Sequence, residues 1–293
     1  MIATPNYYLV VDCGSTKADW RVFAPTETKK SLETIGFNPS IEKPETIKEI
    51  IEDLAAPKLR EYAFQKIFFY GAGCVNASIQ HFIKDLLAQI FKISPSQVLA
   101  AEDLLGAIRA TGNTTGAIAA ILGTGSNACY FEGDKILTQW GGHGYLLGDE
   151  GSGADIGKRL VKGLLEKKIS QEIETELETY TQMPLLSLRQ AIYAHPAPNR
   201  FLGNLAPFVN SMQKRPAIRK ILLEAFDDFI KTTLLRFERC KEVPLYFIGS
   251  VAWYFKETLE ETLQKYGLTL SHIIHKPIER LVEYHQNEII GNK

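Results

Sequence analysis

Asp12 closes an apolar run, Tyr7–Val11, and is followed by Cys13-Gly14-Ser15-Thr16-Lys17. A second run, alternating apolar and polar residues, then extends to Phe23. Gly14 lets the backbone turn tightly and approach a ligand, because it has no Cβ. Ser15, Thr16 and Lys17 add two hydroxyls and an ammonium to the backbone N–H groups of the turn. Those groups suit phosphate oxygens. Asp12 beside them suits a hydrated Mg²⁺, which takes oxygen ligands and keeps several waters. An ordinary hairpin has the same pattern, so this stretch alone leaves both readings open.

The design recurs. Thr115–Leu122 is apolar, Gly123-Thr124-Gly125-Ser126-Asn127 forms a turn, and Ala128–Phe131 begins another strand. Two such hairpins suggest two half-domains, each giving a phosphate loop to one nucleotide. Neither matches the Gly-x-x-x-x-Gly-Lys-Ser/Thr loop or the Gly-x-Gly-x-x-Gly dinucleotide turn.

Other residues could carry chemistry. Asp103 ends a strand and begins a helix. It can sit in a ligand cleft at the strand's C-terminal end, or it can cap the helix. Trp140–Gly153 holds six glycines, Asp149, Glu150 and His143 in fourteen residues. Either acid could serve a helix dipole, but that leaves the glycines unexplained, so substrate binding is the favoured reading. His143 is read as a hydrogen-bonding residue, because no second His or Cys stands at metal-ligand spacing. Gly249-Ser250 follows a strand at a helix start, which fits either a phosphate or adenosine contact or an ordinary turn. Asn38, before Pro39, is extended. Its amide can serve a turn or offer a donor and an acceptor to a polar ligand. Gly71-Ala72-Gly73 is a bend that brings backbone close to something.

These residues require strands to hold them. After the first hairpin, Ser31–Phe37 reads as a strand. A helix follows with Ile47, Ile50, Ile51 and Leu54 on one face, stopped by Pro57. Then come the strand Lys66–Tyr70, an amphipathic helix over Ile79–Ile90, the short strand Val98–Ala101, and a helix from Leu104. The order predicts a mixed sheet with helices upon it. The second half repeats it roughly: the Gly123–Gly125 hairpin, helices from Ser152 to Cys240, a strand Leu245–Ile248, a helix, and a strand Leu268–Ile274. The long helix Ala217–Cys240 puts its phenylalanines in the core. Ile278–Ile290 is helical and is placed to cross back onto the first half. The expected division is 1–106 and 107–293.

Composition bounds the reading. The 293 residues allow one large domain or two. Thirty-three basic and 34 acidic residues give a net charge of −1, so no global field favours nucleic acid or an anionic membrane. The longest apolar run, Ala117–Leu122, cannot span a bilayer. No secretory signal pattern opens the chain. Cys13, Cys74, Cys129 and Cys240 are dispersed, without CxxC spacing, and read as reduced cytoplasmic thiols.

Together, Asp12–Lys17, Leu122–Asn127, Gly148–Ser152 and Ile248–Ser250 resemble the BadF/BadG-type ATPases of the actin/hexokinase/Hsp70 superfamily, and most of all the N-acetylglucosamine kinases. The resemblance spans nearly the whole chain. It implies an α/β fold of two ribonuclease-H-like (actin-like ATPase) domains, with mixed sheets flanked by helices and the nucleotide in the cleft between them. It implies ATP and Mg²⁺ as cofactors, with Asp12 organising the metal. Gly14, Ser15, Thr16 and Lys17 match the first phosphate loop, Gly123, Thr124 and Gly125 the second, and Gly249 and Ser250 the adenosine motif. Asp103 matches the catalytic base. Asn38, Gly73, Asn127, Asp149 and Glu150 fall near the sugar. His143 stands where the animal enzymes carry tryptophan, which leaves the acetamido preference open. The implied reaction makes an amino sugar 6-phosphate from ATP, most readily with N-acetylglucosamine, in a homodimer. The alternatives are an activator ATPase of 2-hydroxyacyl-CoA dehydratases and a non-catalytic sugar or nucleotide sensor. Glucosamine, N-acetylmannosamine and N-acetylmuramic acid are the rival sugars.

Overall fold

The computed structural model describes residues 6–291. The chain divides into two compact units. The first comprises Met1–Thr114 with Lys276–Lys293, and the second Thr115–His275.

Unit 1 contains β1 (Tyr7–Cys13), β2 (Lys17–Ala24), β3 (Glu27–Ile35), α1 (Pro44–Glu49), α2 (Ala56–Leu59), β4 (Phe64–Gly71), α3 (Ala77–Phe91), β5 (Val98–Glu102) and α4 (Asp103–Thr111). Its sheet has the order β3-β2-β1-β4-β5. β1 pairs antiparallel with β2 and parallel with β4. Leu9, Val10 and Val11 are wholly buried, as expected of a central strand covered on both faces. Asn76 caps α3 by accepting from Ile79 N–H, and Lys92 ends it in the left-handed conformation.

Unit 2 contains β6 (Ala117–Leu122), β7 (Ser126–Glu132), β8 (Lys135–Gly141), α5 (Gly153–Leu165), α6 (Gln171–Thr181), α7 (Leu185–Ala194), α8 (Pro198–Gly203), α9 (Ala206–Ser211), α10 (Pro216–Thr232), β9 (Leu245–Ile248), α11 (Ser250–Tyr254), α12 (Lys256–Lys265) and β10 (His272–Ile274). Its sheet order is β10-β9-β6-β7-β8. Read from the other edge this is the topology of unit 1: an antiparallel triplet followed by two parallel strands. α13 (Pro277–Gly291) returns to unit 1 and packs on α4, β1 and β2.

Several elements differ from the sequence reading. The division falls after Thr114 rather than at 106, because α4 continues unbroken to Thr111 and packs on β4 and β5. The second unit ends at His275 rather than at 293, and the helix from Pro277 packs back on the first unit, as the expected return of Ile278–Ile290 has it. Pro57 does not stop its helix. The helical run passes through a π-helical turn, Ile50–Ala55, and continues past Pro57 to the end of α2 at Leu59. α10 ends at Thr232 instead of Cys240. There the Thr232 hydroxyl bonds back to the Asp228 carbonyl, a habit that weakens helices. β3 begins at Glu27, four residues before the expected Ser31, and β10 is confined to His272–Ile274. β8 was not expected from the sequence; it is an edge strand, mostly exposed, with little apolar signal.

Ile218, Ile221, Leu222, Phe226, Phe229 and Ile230 of α10 are all buried within the core of unit 2. The apolar surplus on which the dimer expectation rested is therefore spent inside the chain. No helix among the described residues is long and apolar enough to cross a membrane.

Candidate active site

The unit 1 half gathers at the C-terminal ends of β1, β4 and β5. Gly14 N–H donates to the Lys17 carbonyl at 2.9 Å, closing the turn. Gly36 N–H donates to the Thr16 carbonyl at 2.9 Å. A Cβ on Gly36 would fall 2.0 Å from the Gly14 carbonyl oxygen, so only glycine allows this approach. Ser15 and Thr16 are half-buried in the turn and Gly14 is exposed. The Lys17 ammonium is drawn away along the sheet, to Glu33 at 2.6 Å and Asp19 at 3.1 Å.

Asp12 is half-buried and lies directly opposite Asp19 in the β1–β2 register. Like charges in that position repel. Burial, then the charges of Asp19 and Asp103, push the Asp12 carboxyl up to about 7, against the pull of Lys17. Asp19 is itself buried, and its Oδ1 lacks a hydrogen-bond partner. Its nearest counter-charge through that atom is Arg21 at 3.6 Å. No three His, Cys, Asp or Glu among the described residues are set to hold a metal by themselves, but the Asp12–Asp19 pair with its orphaned oxygen suits a hard divalent cation that takes its other ligands from phosphate and water. The sequence reading passed over Asp19. Pairing outward from the Gly14 turn sets it opposite Asp12, and that was the available signal.

Asp103 opens α4, but the N-cap is Glu102. Asp103 thus stands in the first turn of α4, where an acid also suits the helix dipole. The Ala72 N–H donates to the Cys13 carbonyl at 2.9 Å, tying the 71–73 bend to the end of β1. Gly73 has φ +83°, and a Cβ there would lie 1.9 Å from Asn38 Oδ1. That oxygen accepts from Ser40 N–H at 2.9 Å, and Ser40 Oγ donates to the Gly73 carbonyl at 2.7 Å. The NH₂ of the Asn38 amide is the group left for a ligand acceptor.

The unit 2 half is built on the second turn. Gly123 N–H donates to Gly125 O at 3.0 Å. The Gly123 and Thr124 carbonyls accept from Gly153 N–H at 2.8 Å and Ala154 N–H at 3.2 Å, docking the turn on the start of α5. Gly249 has φ +114°, with its Cβ position 2.5 Å from Leu122 O, so it too must be glycine. Ser250 begins the short α11 beside it. Asp149 is buried at φ +59° and sets its carboxylate against Gly125. Burial raises its pKa, opposed by N–H bonds from Ser126 and Gly144. Glu150 is half-buried, and its carbonyl accepts from Ser126 Oγ at 2.8 Å. Asn127 Oδ1 accepts from Ala128 N–H at 2.9 Å and Gln139 Nε2 at 3.3 Å. Its amide lies against Gly142. His143 is exposed in the same loop.

Within unit 1 the structure thus brings together Asp12, the Gly14 turn, Asn38, Gly73 and Asp103. Within unit 2 it brings together the Gly123 turn, Asn127, Asp149, Glu150 and Gly249. All four cysteines are buried and free of disulfides. Burial, with the charges of Asp103 and Glu102, holds the Cys74 thiol up to about 12. A thiol held protonated in this way suits neither a disulfide nor cluster ligation.

Two five-stranded mixed sheets of one topology, each ending in a glycine turn between antiparallel strands, make this an actin-like ATPase fold. No protein-family model and no curated protein matches the chain. Solved structures do. A protein from Porphyromonas gingivalis, described as a "putative N-acetylglucosamine kinase", is 33% identical, with a TM-score of 0.90 over 96% of this chain and 99% of that one. A Chromobacterium violaceum protein with the same description is 18% identical, with a TM-score of 0.72 over 96% and 99% of the two chains. A ROK-family glucokinase from Streptomyces griseus, solved with glucose and AMPPNP, is 11% identical, with a TM-score of 0.54 over 92% and 94%. The latter two share the fold. The chain belongs to the BadF/BadG-type ATPase family, in the branch that resembles N-acetylglucosamine kinases.

Proposed function

We propose that the protein is an ATP-dependent sugar kinase that converts an amino sugar, N-acetylglucosamine first among them, to its 6-phosphate. The observation that carries this reading is the carboxylate group Asp12, Asp19 and Asp103 beside the Gly14 turn. Family membership supports it.

Asp12 and Asp19 would hold Mg²⁺, which when bound neutralises charge on the nucleotide phosphates. The backbone N–H groups and hydroxyls of the Gly14–Thr16 turn would bind phosphate oxygens, and so would Gly123–Gly125. Lys17 is committed to Asp19 and Glu33, so this turn works through its backbone and hydroxyls. Gly249 and Ser250 would meet the adenosine. Asp103 would accept the proton of the attacking sugar hydroxyl, a contribution of about 10²- to 10⁴-fold. Asn38 would donate its NH₂ to a sugar oxygen. Gly73, Asn127, Asp149, Glu150 and His143 complete the candidate sugar contacts.

ADP release measured with ATP and Mg²⁺ across N-acetylglucosamine, glucosamine, N-acetylmannosamine, N-acetylmuramic acid and glucose tests the reading. ADP formed only with an amino sugar is the expected result. The same rate without sugar points to the ATPase branch, and no ADP under any condition points to a sensor. Either would overturn the kinase reading.

A further inference from the structure

The segment carrying Asp149 and Glu150 buries Gly148, Asp149 and Gly151 but turns the two leucines before them outward. A cavity of about 470 Å³, open to solvent, is lined by Leu146, Leu147, Gly148 and Glu150 on one side and by α5 and the end of α10 on the other. Leu146 and Leu147 are 78% and 84% exposed and anchor nothing in the core. The backbone is left-handed at Gly144, Asp149 and Gly151, with φ +82°, +59° and +72°. Such a loop needs outside constraints to hold one conformation. At Gly151 the backbone runs close to α10: a Cβ there would fall 2.9 Å from Phe229 Cβ.

The constraints are polar: on one side Ser126 Oγ donates to the Glu150 carbonyl at 2.8 Å and Gly144 N–H to Asp149 Oδ1 at 3.3 Å, and on the other stand groups of α5. Lys158 Nζ donates to the Tyr145 carbonyl at 3.3 Å, holding the loop near its start. Gly151 N–H donates to Asp155 Oδ2 at 3.1 Å, holding it near its end. Asp155 is only 3% exposed. Its Oδ2 also accepts from Arg159 Nε at 2.8 Å, and Arg159 Nη2 donates to Asp228 Oδ2 at 2.7 Å. Lys158 Nζ lies 3.5 Å from Asp155 Oδ1. A buried ion pair is a weak source of stability, since desolvation offsets attraction; its best use is to fix a position. This one fixes the residue that follows Glu150.

We propose that Asp155, oriented by Arg159 and Lys158, is a positioning residue that sets the Asp149–Gly151 segment across the cavity for sugar binding. The proposal rests on the kinase reading. Asp155 touches no substrate and acts through Gly151.

The test pairs hydrogen exchange over residues 142–152 with steady-state kinetics. In Asp155→Ala, exchange at Gly151 and its neighbours rises by about tenfold or more. KM for the sugar rises about 10- to 100-fold, the cost of small misplacement in a site, while KM for ATP stays within about twofold. Asp155→Asn falls between, because its amide oxygen still accepts from Gly151 N–H. Unchanged exchange in Asp155→Ala overturns the proposal. So does a loosened loop with an unchanged sugar KM, or a parallel rise in both KM values. Should Asp155→Ala fail to fold, Asp155→Asn and Arg159→Gln carry the same measurements. A wild-type protein inert toward every sugar sinks the kinase reading, and the exchange data still decide whether Asp155 holds the loop.

Discussion

At the scale of single residues, a few carboxylates carry the proposal. Asp103→Asn keeps the shape of its side chain and loses the ability to take a proton. Expected is a fall in kcat of about 10²- to 10⁴-fold, with ATP binding retained by calorimetry; a fully active variant would remove Asp103 from the mechanism. Asp12 makes a different prediction. ATP with Mg²⁺ should raise the melting temperature, by about 2.7 kcal/mol of stability at a hundred times Kd. Chelation should remove most of that rise, and Asp12→Asn should show little of it. An equal rise in chelator would mean that Asp12 organises no metal. Asp12 and Asp103 stand out in the sequence because Asp12 ends an apolar run before a turn and Asp103 follows one at a helix start. Asp19 was not, because its role depends on register, which flips with a slip of one residue. The true direction of Lys17 was equally hidden: only the strand pairing shows that Glu33 and Asp19 claim its ammonium.

At the scale of elements, α13 is the instructive case. Its His285 is fully buried and stacks on Phe68 with ring centroids 3.6 Å apart. Nε2 lies 2.8 Å from the Tyr70 hydroxyl and Nδ1 3.0 Å from Glu288. Arg109 of α4 donates to the same hydroxyl at 2.6 Å. Burial lowers the His285 pKa to about 4, opposed by Glu288 and assisted by Arg109 and Lys66. A histidine depressed in the folded state takes up its proton more readily when unfolded. Its neutral form therefore contributes full stability above about pH 6.5, and that stability drains away as pH falls toward 4. The full loss is roughly 3 kcal/mol, of which roughly 2 kcal/mol falls between pH 7.5 and pH 5. Urea unfolding at pH 7.5 and pH 5 should show it, and His285→Leu should flatten the slope between those values. An unchanged slope would rule out His285 as its source. The sequence reading makes Ile278–Ile290 helical and places it to cross back onto the first half. The Arg109–Tyr70–His285 chain was beyond it, because its members stand far apart in sequence and meet only when α13 packs on α4.

At the scale of the whole molecule, the repeated fold was readable because each half announces itself with a glycine turn between two apolar strands. The boundary was less so. Turn residues mark the ends of elements, while unit membership depends on which surfaces α4 and α13 cover. Unit 2 is one continuous segment, Thr115–His275, with its own hydrophobic core. Unit 1 buries Ile278, Leu281 and Val282 from α13, each worth about 1.5–3 kcal/mol when fully buried. A fragment spanning 115–275 should melt cooperatively on its own. A fragment spanning 6–114 should do so only when a peptide covering 276–291 is added. Cooperative melting of 6–114 alone would show that α13 is dispensable to its unit.

The return of α13 also bears on how the protein is made. A ribosome delivers Thr114 long before it delivers Pro277. At roughly 5–20 residues per second, the nascent first unit waits on the order of ten to thirty seconds for its closing helix. During that interval Tyr70 and the faces of β1 and β2 that α13 will cover stand open to water and to chaperones. The segment that begins second is thus free to finish first, and the opening strands of the chain are among the last to be sealed.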